Sequence, residues 1–377
     1  MKIILILALA GLYSLPLCAQ QVPANPSDQV NELSLFTTDS LIVSVDTVLI
    51  KSDTITVIGV GDIMMGTNYP DESRLPPDGG AFLMSHVDSI LSNANLTFGN
   101  LEGVLLDDGG TPKTCKDPSV CYVFRSPVSY VNNLLKAGFD VMSLANNHAG
   151  DFGDIGRKSS MQTLDSAGIN HAGQIAQPFI TFTKDSIRYG FTALAPNSGC
   201  VQLNDIDNAR QIVQHLDSIS DIVIVSFHGG AEGAKYQNVP RTNEIFYGEN
   251  RGDVYKLSRE LIDAGADIIF GHGPHVTRAI DIYKKRFIAY SMGNFCTYRG
   301  ISVNGVNGLA PIVKLYVSKT GEFYKGEIIP TYQSYDTGVR VDAEKKVIAV
   351  IQELTKKDIP EAEIQIDDNG LINYLDR

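Results

Sequence analysis

The chain of 377 residues carries 31 Lys and Arg against 43 Asp and Glu, a formal net charge of −12. With no basic run to offset it, that balance excludes a protein whose affinity comes from neutralising nucleic-acid phosphates. An apolar fraction of 44% with 34 glycines suits a sizeable globular core, one large domain with tails.

Residues 1–19 have the charge, apolar core and exit of a secretory signal peptide: Lys2, an apolar run over 3–12, Pro16, and Ala19 ahead of Gln20. The run is short for a bilayer span, so the mature protein is expected in the periplasm or cell envelope. Membrane attachment would need an uncleaved signal or a lipidated Cys18. Residues 20–53 lack helical periodicity and read as a tether with edge strands, for example over 40–50.

From Ile55 onward the chain alternates. Short β-branched runs predict strands over 55–60, 96–99, 141–144, 187–195, 222–227, 268–270 and 287–291. Helices are predicted over 81–92, 128–137, 156–167, 208–218 and 254–264, with apolar residues at spacings of three and four, as in Leu83, Val87, Ile90 and Leu91. The βαβα order with a β-rich finish is that of an α/β domain, placed at 54–335. A C-terminal extension over 336–377 includes a helix over 343–354 and carries no chemistry that the residues assign. Cys115 and Cys121 close a short loop and, in an oxidising compartment, are expected to form a local disulfide. Cys200 and Cys296 each follow a strand-like segment and are candidates for a second pair; no cysteine has zinc-ribbon spacing.

Short polar motifs follow the predicted strands: Gly61-Asp62, Asn100-Leu101-Glu102, Asn146-Asn147-His148 with Asp151, His228-Gly229-Gly230 and Gly271-His272-Gly273-Pro274-His275. Strand C-terminal ends are where such sheets gather functional loops, so these residues are expected in one crevice. Gly59-Val60-Gly61 lacks the third glycine and the Gly-Lys-Ser/Thr of a phosphate loop, which leaves Asp62 as a ligand or as a turn and cap residue. Glu102 is suited to bridge divalent ions and Asn100 to offer a neutral oxygen. His148 held by Asp151 would act as a general acid or base; the bland alternative makes Asp151 a helix cap. Four of the seven histidines, His148, His228, His272 and His275, fall at strand ends, whereas His86, His171 and His215 read as surface or packing residues. Glu232 is either an orienting partner for a ligand imidazole or an exposed loop carboxylate.

Together with Tyr290-Ser291-Met292-Gly293-Asn294-Phe295, this series resembles the CapA family over residues 57–297. That family is named for poly-γ-glutamate capsule synthesis and is similar in fold to calcineurin-like metallophosphoesterases. The resemblance implies an α/β/β/α sandwich. It also implies two divalent ions (Mn, Zn or Fe) held by Asp62, Glu102, Asn147, His228, His272 and His275, with His148 protonating the leaving group beside Asp151. Met64 stands where the metallophosphoesterase pattern often has a histidine, and Gly-His-X-His is widened to Gly-His-Gly-Pro-His. Asn100, Asn146, Arg125 and Arg278 are candidates to bind substrate; Arg241 and Arg251 are further arginines available to an anion. Two readings lead: an exported hydrolase of a phosphoester or related ester or amide of envelope material, or a capsule and poly-γ-glutamate factor that binds or transfers polymer without phosphoesterase activity. The expected partners are a small-molecule or envelope-polymer substrate and capsule-assembly proteins, with no nucleic acid. A binding or scaffold protein with a relic site is the third reading.

Overall fold

The computed structural model describes residues 53–115 and 121–375. The expected signal peptide, Cys18 and the strand over 40–50 lie outside the described residues. No helix among the described residues is long and apolar enough to cross a membrane.

Two sheets form the centre. The larger has ten strands among the described residues, and one half of it is parallel: Ile55–Met64 lies beside Leu96–Leu101, which lies beside Val141–Ser143 and then Asn170–Ala172. Its other half is the β-rich finish, in which Leu309–Val317 runs antiparallel to Ile55–Met64 and is followed outward by Phe323–Ser334 and Leu371–Tyr374. In the smaller, six-stranded sheet, Ile187–Leu194, Ile222–His228, Ile268–His272 and Arg286–Ala289 are parallel neighbours.

Burial of alternate faces makes four layers. One face of each sheet meets the other in a shared core containing Val57, Phe98, Val141, Phe191, Ile224 and Phe270. The outer face of the larger sheet, with Ile58, Val60 and Met142, is covered by helices α1 (Asp88–Leu91), α2 (Val131–Ala137) and α3 (Gly153–Ala167) through Leu91, Leu134 and Leu164. The outer face of the smaller sheet packs on α4 (Ile206–Ile219) and α5 (Val254–Asp263) through Val213, Leu216, Leu257 and Leu261. This is the α/β/β/α sandwich expected from the resemblance, and period-two strands against period-3.6 helices are its cause. The segment after 335 joins the same body: Gly338–Val341 pairs with Phe323–Ser334, and Val347, Ile348 and Ile351 of α6 (Lys346–Asp358) enter the inter-sheet core.

Three expectations are corrected. Residues 81–92 are not one helix: Leu83, Val87 and Leu91 are buried as the spacing implied, but the Leu83 carbonyl accepts from Val339 N–H instead of a helical partner, so only α1 forms. Cys200 and Cys296 are both buried free thiols, belonging to the inter-sheet core and the outer core of the larger sheet respectively. Asp62 does not end its strand. Ile55–Met64 continues past it because Asn294–Thr297 adds a parallel partner beyond a bulge at Asp62 and Ile63. Gly61 makes that possible, since a Cβ there would overlap the Gly293 carbonyl. The Cys115–Cys121 disulfide is present as expected.

Phe98 links this core to the polar end of the sheets, stacked on Phe270 with ring centroids 5.1 Å apart and lying 5.7 Å from the His272 ring. Phe98→Ala is expected to lower the unfolding free energy by about 3–5 kcal/mol through lost burial and the cavity left behind, a shift that chemical denaturation followed by circular dichroism would measure.

Candidate functional site

Parallel pairing brings the motifs together. Asp62 lies in register with Asn100 on one side and Asn294 on the other, and His228 lies in register with His272 in the facing sheet. Five strands thus deliver a carboxylate, two amides and two imidazoles to the same edge of the sandwich.

Asp62 is fully buried and surrounded by donors. His272 Nδ1 lies 2.9 Å from its Oδ1 and His275 Nδ1 lies 3.1 Å from its Oδ2, while Asn100 Nδ2 donates to Oδ1 at 2.8 Å. Burial alone would raise its pKa, but the bonds from His272 and His275 outweigh that and hold it well below the usual carboxylate range. As an ionised acceptor, Asp62 assigns the proton to Nδ1 of both rings. The widened Gly-His-Gly-Pro-His loop therefore brings both imidazoles to one carboxylate. His275 reaches it from a left-handed backbone conformation, φ 57°, which costs a non-glycine residue about 1 kcal/mol or more. At Gly273 a Cβ would stand 2.7 Å from the Gly229 carbonyl oxygen, so the glycines of both loops permit their close approach.

Glu102 faces the same space. Its Oε1 is 3.4 Å from His275 Nε2, yet neither oxygen has a hydrogen-bond partner. Burial pushes its pKa well above the carboxylate range, opposed by the His275 charge. Burial pulls His275 the other way, but Glu102 and Asp62 overcome it and push the ring up to about 10. The carboxylate pair thus draws positive charge into the site. His228 is buried with both ring nitrogens unpartnered, and burial followed by the charge of Arg251 holds its pKa well down. His272 Nε2 and Asn147 Oδ1 are likewise buried and unpartnered. Asp62, Glu102 and His228 offer ligand atoms that all lie within 4.8 Å of one another. Buried oxygens and imidazole lone pairs left without protons to accept form a donor set that fits divalent cations.

Met64 does not join them; its thioether accepts from Gly66 N–H at 3.3 Å. Asn100 and Asn146 are at the site with their side chains already engaged. Asn146 Nδ2 donates to Asn100 Oδ1 at 3.2 Å and to the Leu101 carbonyl at 2.8 Å, and its Oδ1 accepts from His148 N–H at 3.1 Å. Arg125 is tied to Asn68 Oδ1 and the Gly109 carbonyl, and Arg278 forms a two-bond pair with Glu244 at 2.8 Å. Neither forms a hydrogen bond or ion pair with Asp62 or Glu102. Asn294, whose Oδ1 is 3.0 Å from His275 Nδ1, and Lys113 are polar neighbours to which sequence reasoning gave no role, although Asn294 lies in the Tyr290–Phe295 motif. Asn294 had a signal, because it follows an apolar segment like the other motifs; Lys113 in its loop had none.

Beside this cluster, His148 Nδ1 lies 2.8 Å from Asp151 Oδ2, which also accepts from Phe124 N–H at 2.7 Å. Lys113 Nζ is 2.6 Å from the other Asp151 oxygen, and the Phe124 ring lies 4.3 Å from the imidazole. Burial lowers the His148 pKa, Asp151 opposes it and the Lys113 charge adds to it. Lys113 and Phe124 flank the Cys115–Cys121 disulfide in the chain, and that bond ties together the two segments that carry them. Because Asp151 accepts from His148 and the Phe124 N–H and forms an ion pair with Lys113, Asp151→Ala is expected to lower the unfolding free energy by about 3 kcal/mol by leaving them unpaired. Asp151→Asn should cost less, and urea denaturation of the two variants is the measurement.

The chain has known relatives. The capsule biosynthesis protein CapA of Bacillus anthracis is 29% identical over 272 residues, covering 66% of this chain and 61% of that protein. The chain therefore spans less than two thirds of that relative's length. The PGA biosynthesis protein CapA of Bacillus subtilis (strain 168) is 28% identical over 326 residues, covering 81% of this chain and 79% of its own length. Among solved structures, the calcineurin-like phosphoesterase YfkN from Bacillus subtilis aligns with a TM-score of 0.39 at 14% identity, covering 82% of this chain and 98% of that one. The family model for the bacterial capsule synthesis protein PGA_cap matches residues 56–299, and the chain belongs to that family.

Proposed function

We propose that the protein is an exported metal-dependent hydrolase acting on a phosphoester, or a related ester or amide, of cell-envelope material. The observation that carries this reading is the convergence of unpartnered buried atoms beside Asp62: both oxygens of Glu102, both nitrogens of His228 and His272 Nε2. Leaving a buried donor or acceptor unsatisfied costs about 1–3 kcal/mol, more for charged groups, so such a concentration calls for cations. Asp62, Glu102, Asn147, His228, His272 and His275 would hold two divalent ions, and their mixed oxygen and imidazole chemistry suits manganese, zinc or iron. When bound, such ions lower the pKa of water toward about 7 and polarise the group under attack.

The chain's own part is positioning and proton transfer. Asn100 and Asn294 hold Asp62 and His275 in place through their amides. Asp151 occupies Nδ1 of His148, so Nε2 is the atom that gives a proton to the leaving group. Burial weakens the ring's hold on that proton, and Asp151 keeps the imidazolium accessible.

A second reading has its own support in the names of the relatives, which include a capsule biosynthesis protein and a PGA biosynthesis protein. On that reading the same residues bind or transfer an envelope polymer together with capsule-assembly proteins, without phosphoester hydrolysis.

Metal content of protein purified without chelator, with turnover of generic phosphomonoesters and phosphodiesters on the same samples, separates the two. The hydrolase reading expects bound divalent metal, at least tenfold less of it in Glu102→Gln and His228→Ala, and turnover abolished by chelation. It also expects His148→Ala to keep its metal and lose about 10²–10⁴ in kcat. Metal without turnover would favour polymer handling, and absence of metal under supplementation would falsify the hydrolase reading.

A further inference from the structure

Arg251 is among the largest fully buried side chains, 2% exposed, yet only part of its guanidinium is used. Nη1 is 3.0 Å from Glu232 Oε1 and 3.6 Å from Glu249 Oε2. Nε and Nη2 are buried with no hydrogen-bond partner. Those two nitrogens lie on one edge of the planar group, the edge that matches two oxygens of a carboxylate or phosphoryl group. Arg278, buried to the same degree, gives the contrast. Its Nε, Nη1 and Nη2 all donate, to the Tyr236 and Ala231 carbonyls and to Glu244, so its role is to hold the loop.

The free edge belongs to a residue placed beside the carboxylate and imidazole cluster. Asn147 Nδ2 donates to the same Glu232 oxygen, at 3.5 Å, that Arg251 engages. The Arg251 carbonyl accepts from Gly230 N–H at 2.8 Å, two residues after His228, and its N–H donates to the Glu244 carbonyl at 2.7 Å. Both the backbone and one end of the guanidinium are therefore fixed, and the charge of Arg251 is felt at His228 and Glu102. A buried cation with unpaired donors is costly unless an anion completes it.

We propose that Arg251 is the substrate's oxyanion-binding residue, its Nε and Nη2 edge receiving two oxygens of a substrate anionic group beside the Asp62, Glu102 and His228 cluster. The proposal rests on the hydrolase reading for what happens next to that group, and on Arg251 alone for the binding. The oxygens belong either to the reacting phosphoryl group or to a carboxylate next to the scissile bond.

The test is calorimetric titration of the full chain with inorganic phosphate and, separately, with succinate, comparing wild type with Arg251→Gln and Arg251→Lys. Metal content and thermal unfolding are read on the same samples. Arg251→Lys keeps a charge for Glu232 and loses the two-nitrogen edge, so it stays informative if Arg251→Gln does not fold. The expected result is binding of at least one probe by wild type and at least tenfold weaker binding by the folded variants, with metal content unchanged. Phosphate-selective binding assigns the edge to the phosphoryl group, and succinate-selective binding assigns it to a carboxylate. Equal affinity in wild type and variants, no binding of either probe by wild type, or joint loss of metal and anion would each overturn the proposal. Wild type without metal that still binds the anion through Arg251 would sink the hydrolase reading and leave this one standing.

Discussion

The rest of the molecule is arranged around one buried carboxylate, that of Asp62. It sits in a central strand of the larger sheet, receives Asn100 from the neighbouring strand, and is met by His272 from the facing sheet and His275 from the loop after it. One side chain thus joins both halves of the sandwich at their polar edge. Burying an ion is expensive unless its oxygens are filled with good geometry. Here the geometry is imposed by strand register, by the bulge after Asp62 and by glycines that let backbones touch.

The same edge explains why the apolar core and the polar cluster are continuous. Phe98 and Phe270, one from each sheet, stack in the inter-sheet core, and the Phe98 ring also packs against His272. The low-polarity floor strengthens every electrostatic interaction above it and raises the cost of each unsatisfied group. Glu102, His228 and His272 bear that cost, and His275 adds a left-handed backbone. Unsatisfied carboxylate and imidazole atoms gathered around one buried carboxylate break a local rule of packing at the place where a site would use them.

Around this centre the loops differ in how firmly they are held. Asp151 gathers His148, Lys113 and the Phe124 backbone, and the Cys115–Cys121 bond ties together the segments that carry the last two. On the opposite side, the buried Arg278–Glu244 pair secures the segment that carries Glu232 and Arg251. Arg278 and Arg251 look alike as arginines in a string of letters, and only their surroundings separate a loop fastener from a residue with donors to spare.

Much of the architecture was legible in the chain. Most β-branched runs became strands close to their predicted bounds, and the helices with apolar spacing over 156–167, 208–218 and 254–264 became α3, α4 and α5, because local periodicity dictates which face is buried. The order of polar motifs after strands was enough to place Asp62, Asn100, His228 and His272 at one edge and to reveal the family, since parallel strands put their C-terminal ends side by side. Sequence did not determine that residues 81–92 would give up a helix so that Leu83 could bond to Val339, nor that Cys200 and Cys296 would lie in different cores. It did not show that Lys113 and Asn294 would face His148 and His275, or that Arg251 would keep one edge free. Those outcomes depend on partners up to hundreds of residues away, and no local pattern encodes which donors the folded chain leaves unpaired.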